Sequence, residues 1–118
     1  MITEKRRHPR LEKVLPLKIS SRQADIVTQT KNLSCVGAYC SVNKPIPLMT
    51  KLKITLLLPE KTKRPQEKSS KVNCVGVVVR SETSEQEGIY NVAIFFEQIR
   101  EKEKLKLEEY INHHLTLS

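Results

Sequence analysis

A chain of 118 residues, 38% of them hydrophobic, suffices for one domain with a single modest core. Its net charge of +8 is concentrated: residues 1–31 hold eight Lys/Arg against Glu4, Glu12 and Asp25, residues 60–71 hold five against two, and residues 97–118 hold four against five; this suits a phosphate-bearing partner. Three cysteines without paired metal spacing, no apolar stretch of membrane-spanning length and no signal-peptide core in "MITEKRRHPR" argue against a disulfide framework, a zinc module and membrane insertion, so a cytoplasmic protein is expected.

The N-terminal run "EKRRHPR" (4–10) packs four cations around a proline. Pro9 fixes its own φ and pushes His8 towards extended geometry, so the run is not expected to be helical. In an extended chain at ~3.3 Å per residue, Arg6 and Arg10 stand ~13 Å apart, a spacing fit for a strap across a multiply charged ligand. Strand character follows. "VLPLKIS" (14–20) holds Pro16, which belongs at an edge or a strand start. "ADIVTQT" (24–30) is rich in β-branched residues, and "GAYCSVN" (37–43) comes after a turn. "KLKITLLL" (51–58) alternates and then becomes apolar, while "VNCVGVVVRS" (72–81) and "IYNVAIFF" (89–96) are dense in Val, Ile and Phe. Gly76 marks a bulge or bend in the fifth run.

The connections "NKPIP", "PEKTKRPQEKSSK" and "ETSEQEG" are turn and loop chemistry, the second expected as a hairpin loop rather than a nucleic-acid patch. Six strands with short connections imply an antiparallel sheet closed into a small barrel. In the tail "REKEKLKLEEYINHHL" the period changes: Leu107, Tyr110, Ile111, His114 and Leu115 share one helical face, opposite alternating charges. The expected division is a basic strap at 1–13, a barrel at 14–97 and a C-terminal helix at 100–115.

Between the second and third runs lies "TKNLSCVGAYC". Asn32 and Ser34 are short polar residues that either satisfy a turn or face a ligand, and Gly37 permits φ > 0 or a close backbone approach. The pairing of Arg6-x-x-x-Arg10 before the first strand with Asn32-x-Ser34-x-x-Gly37 after the second resembles the PilZ domain family. The resemblance covers roughly residues 4 to 110. It implies a mainly β fold, a six-stranded antiparallel PilZ-type β-barrel with a C-terminal α-helix, and a non-enzymatic receptor for cyclic di-GMP.

By that resemblance Arg6 and Arg10 take the two phosphates and guanines, Asn32 and Ser34 contact the other guanine, Gly37 lets the backbone come close, and Arg7 adds a phosphate contact. The chemistry agrees, because a guanidinium pairs with phosphate, stacks on a purine and addresses guanine O6 and N7. Ligand binding would fold the strap onto the barrel and change affinity for a protein effector. One departure is Asn91, at a position where the family often has glycine. Two alternatives remain: a PilZ-like interaction module that does not bind the nucleotide, and a basic nucleic-acid-binding barrel. The second is poorly equipped, since the aromatics are only Phe95, Phe96, Tyr39, Tyr90 and Tyr110, and adjacent Phe95 and Phe96 cannot both face outwards.

Other residues carry less. Arg80 reads as an exposed strand-end charge, the two adjacent histidines point to different helix faces, and Ser34 lacks the setting of a nucleophile. Neither a metal site, a catalytic cofactor nor an enzyme is expected.

Overall fold

Leu17 and Ile19 are buried while Pro16 and Lys18, one residue out of phase, face solvent. This period-2 alternation recurs along six strands and decides which side of the sheet closes inwards. The computed structural model describes residues 10–12, 15–21, 25–58 and 70–117. The strands are β1 (Pro16–Ser20), β2 (Asp25–Ser34), β3 (Gly37–Val42), β4 (Lys51–Leu58), β5 (Ser70–Thr83) and β6 (Tyr90–Gln98), followed by helix α1 (Glu101–Leu117). All pairings are antiparallel, in the order β1-β2-β3-β6-β5-β4, and β1 pairs with β4 (Leu17↔Leu56, Ile19↔Ile54) to close the barrel. The expected six-stranded barrel with a C-terminal helix is the observed fold.

Pro16 sits at the first position of β1, where its missing donor is tolerated. The core is the inner row of each strand, including Leu17, Leu33, Ile54, Leu56, Val78 and Ile94. Thr30 is buried too, and its hydroxyl accepts the Leu15 N–H at 3.1 Å, which supplies a partner a buried strand entrance needs.

Three strands extend past the ends of their sequence runs, β6 by only the two residues to Gln98. β2 continues through Asn32 to Ser34, past a register shift between Thr30 and Asn32. The polar stretch expected to lie between strands is therefore the end of β2 and the start of β3, with only Cys35 and Val36 in the turn. β5 runs on to Thr83 with shifts at Val75/Gly76 and Val78/Arg80, so Arg80 lies inside the strand rather than at its end. The register does shift at Gly76, but the extra residue there is Glu97 of β6, and the one on β5 is Val79; a Cβ on Gly76 would stand 2.5 Å from Ile94 Cγ2.

Helix α1 packs on β5 and β2. Leu107 and Ile111, one turn apart, are buried, and Tyr110 packs half-buried against them; the side chains of His114 and Leu115 lie outside the described residues. The first turn is pinned to β5. Glu103 Oε1 accepts the Asn73 N–H at 3.3 Å, and Lys106 Nζ donates to the Lys71 carbonyl at 3.2 Å while pairing with Glu103 at 2.8 Å. Burial pushes the Glu103 pKa up, but Lys106 and the Asn73 N–H more than offset it and hold the carboxyl below its ordinary value. The cysteines are free thiols; burial pushes Cys40 and Cys74 up to about 12.

Candidate ligand-binding face

Both motifs meet at one end of β2. Leu11 and Leu33 exchange two backbone hydrogen bonds, Leu11 N–H to Leu33 O at 2.7 Å and Leu33 N–H to Leu11 O at 2.9 Å. Their side chains both enter the core, at 7% and 0% exposure. In an antiparallel pair this sets Arg10 across from Ser34 and Glu12 across from Asn32, with those four residues out of phase with the buried leucines. Arg10 is exposed. Arg6 and Arg7 lie outside the described residues, as does most of the basic segment 60–71.

The two polar residues of the second motif differ in burial and in what they bond. Ser34 is 5% exposed; its hydroxyl accepts the Val36 N–H at 3.3 Å and donates to the Gly37 carbonyl at 3.5 Å, shaping the Cys35–Val36 turn. The turn is fixed from outside by Phe96 N–H, which donates to Val36 O at 2.8 Å. Asn32 is half-buried, and its side chain makes no hydrogen bond to a described residue. Gly37 pairs with Phe95 of β6, and a Cβ on it would stand 2.5 Å from the Ile94 carbonyl oxygen. The close approach expected of this glycine is thus, in this structure, an approach of β6, and it depends on space and not on a positive φ.

Registers then extend the face outwards from β2. One row runs Ser34–Gly37–Phe95–Val77 and the next Asn32–Tyr39–Ala93–Arg80. At the bulge, Lys31 turns its ammonium to Asn91 Oδ1 at 2.9 Å and lies 5.9 Å from the Tyr39 ring centroid. Ser41 Oγ donates to the same Asn91 oxygen at 2.9 Å, so the side chain at this departure from the family pattern is held by two donors. Arg80 is 66% exposed and pairs loosely with Glu82 at 3.5 Å. Sequence reasoning missed Lys31, Tyr39 and Phe95 as members of this face. Strand alternation gives their orientation, but their neighbours depend on pairing with β6, more than fifty residues on.

The arrangement is a face and not a cavity. A cleft of about 830 Å³ lies elsewhere, against β1, β4, β5 and the start of α1, and contains none of the motif residues. Among the described residues no three His, Cys, Asp or Glu side chains gather as metal ligands, and no helix is long and apolar enough to cross a membrane.

A family model for the PilZ domain matches residues 4–113. The chain belongs to the PilZ domain family. That family is one of cyclic di-GMP receptors. Among solved structures this PilZ domain is similar to the Bacillus subtilis inhibitor of motility, MotI/DgrA, with TM-score 0.79 and 20% identity over 97% of this chain and 53% of that one. It is also similar to the PilZ domain of YcgR from Escherichia coli, solved with c-di-GMP, with TM-score 0.59 and 12% identity over 96% and 92% of the two chains. At these identities the likeness is one of fold. The chain spans about half the length of the Bacillus protein. No curated protein matches the sequence.

Proposed function

We propose that this PilZ domain is a non-enzymatic cyclic di-GMP receptor that relays ligand binding to a protein effector. The observation that carries the reading is the Leu11–Leu33 bridge, which brings Arg10 of the first motif across from Ser34 of the second. An exposed guanidinium within reach of an amide that bonds no described residue is what a nucleotide with two phosphodiesters and two guanines needs. Arg10 pairs a phosphate through parallel N–H donors, Asn32 offers both a donor and an acceptor to a guanine edge, and Arg6 and Arg7 extend the strap over the second phosphate. Each charge-assisted bond contributes about 1.5–3 kcal/mol, enough in combination for micromolar binding after the ordering cost. The relay follows if ordering the strap reshapes the surface around the N-terminus, since a ligand shifts such an equilibrium only by its differential affinity for the two states.

Calorimetric titration with cyclic di-GMP, with GMP and a short oligonucleotide as controls, tests the reading. Saturable binding of the cyclic dinucleotide alone supports it. Silence with cyclic di-GMP leaves the interaction module that does without nucleotide, a reading favoured by the fold roles of Ser34 and Gly37; equal binding of the oligonucleotide leaves the basic barrel.

A further inference from the structure

Phe95 breaks the economy of its strand. Val92, Ile94 and Phe96 point inwards and are buried, whereas Phe95 is 45% exposed on the outer face of β6. Its antiparallel partner on β3 is Gly37, so no side chain stands between the ring and Ser34. On the other side, Val77 is 5% exposed, and beyond it the Lys51–Glu97 ion pair at 3.2 Å closes the row. Helix α1 packs on β5 and β2. The result is an apolar aromatic surface, open on the side of Gly37. Strand spacings of ~4.8 Å place it about 14 Å across the sheet from Arg10. Ala93 on the next row keeps the floor low between Tyr39 and Arg80.

Resting on the receptor reading above, we infer that Phe95 is the base-stacking platform of this face, taking one guanine of the dinucleotide on its ring while the Arg10 side holds a phosphate. The purine covers the gap that Gly37 leaves, and Arg80 lies one row away as a counter-charge to the outer phosphate. An aromatic ring offers every base a π-face, and a purine covers more of it than a pyrimidine. The residue therefore sets affinity and purine preference, while the motif residues set the phosphate register.

The chain contains no tryptophan, so Phe95→Trp introduces a single indole at the surface. With this variant, cyclic di-GMP is expected to quench or shift the emission, saturating with the binding isotherm that calorimetry gives for the same variant; cyclic di-UMP changes it far less. Phe95→Ala, compared at a temperature where its thermal melt shows it fully folded, is expected to lower cyclic di-GMP affinity roughly tenfold or more, and Phe95→Leu by an intermediate factor. Unaltered affinity in Phe95→Ala together with unresponsive emission in Phe95→Trp, while the unsubstituted chain binds, overturns this inference alone. Calorimetric silence of the unsubstituted chain overturns the receptor reading itself, and this inference with it.

Discussion

Arg10 and Lys44 are both exposed cations, but only Arg10 is placed next to the second motif. If the site is local, Arg10→Ala loses about 2 kcal/mol or more of cyclic di-GMP affinity, and Lys44→Ala only a few tenths by the weakened general field. Equal losses in a calorimetric comparison would point to diffuse attraction by the net charge. Within the second motif the expected effects separate. Asn32→Ala lowers affinity and leaves the melting temperature in place, because its side chain has no hydrogen bond to a described residue. Ser34→Ala removes the acceptor for the Val36 N–H and lowers the melting temperature by on the order of 4 °C. Gly37→Ala sets a methyl against the Ile94 carbonyl, a backbone atom that cannot swing aside, and costs about 1–3 kcal/mol. Thermal melts beside titrations of the three variants check this. A drop in stability for Asn32→Ala as large as that for Ser34→Ala would make the whole motif structural.

At the scale of elements, the Glu103 carboxylate is one of the polar ties that hold α1 on β5, beside the Lys106 donation to the Lys71 carbonyl and the buried Leu107 and Ile111. The folded pKa of Glu103 is depressed below its unfolded value of about 4.3, so its stabilisation is present above that pH and is lost as pH falls through the folded pKa. Glu103→Gln is therefore expected to cost about 1 kcal/mol at pH 7 and less at pH 3, measured by urea unfolding. The same cost at both pH values would show that the loss does not come from the carboxylate charge, and no cost at either would show that the amide replaces it fully. The helix face was legible in advance because Leu107, Tyr110 and Ile111 repeat at helical spacing within one short segment. β1 and β4 were legible because alternation is local as well. The end of β2 was not: its course past Thr30 depends on a bulge at Lys31 that exists only against β3. The division of labour within Asn32-x-Ser34-x-x-Gly37 was hidden for a related reason. Ser34 and Gly37 acquire their roles from Val36, Ile94 and Phe96, and two of those belong to a strand distant in sequence.

For the whole molecule, closure through β1 and β4 leaves no free sheet edge among the six strands, and the chain entering β1 is joined to β2 by Leu11 and Thr30. The relay reading thus confines the response to the periphery. Amide exchange at residues 4–8 and 10 is expected to slow on adding cyclic di-GMP, with Leu17–Ile19 and Val92–Phe96 nearly unchanged, since the barrel is already closed without ligand. Exchange that stays equally fast at the N-terminus under saturation would sink the strap, even with binding intact. The backbone approach at Gly37 has a consequence of another kind. A descendant of this chain that abandoned the nucleotide would shed Arg10 and Asn32 freely, yet Ser34 and Gly37 would persist, because the barrel itself would select against their loss. A genome survey that scores the serine and glycine would therefore gather barrels, whereas one that scores the arginines would gather receptors.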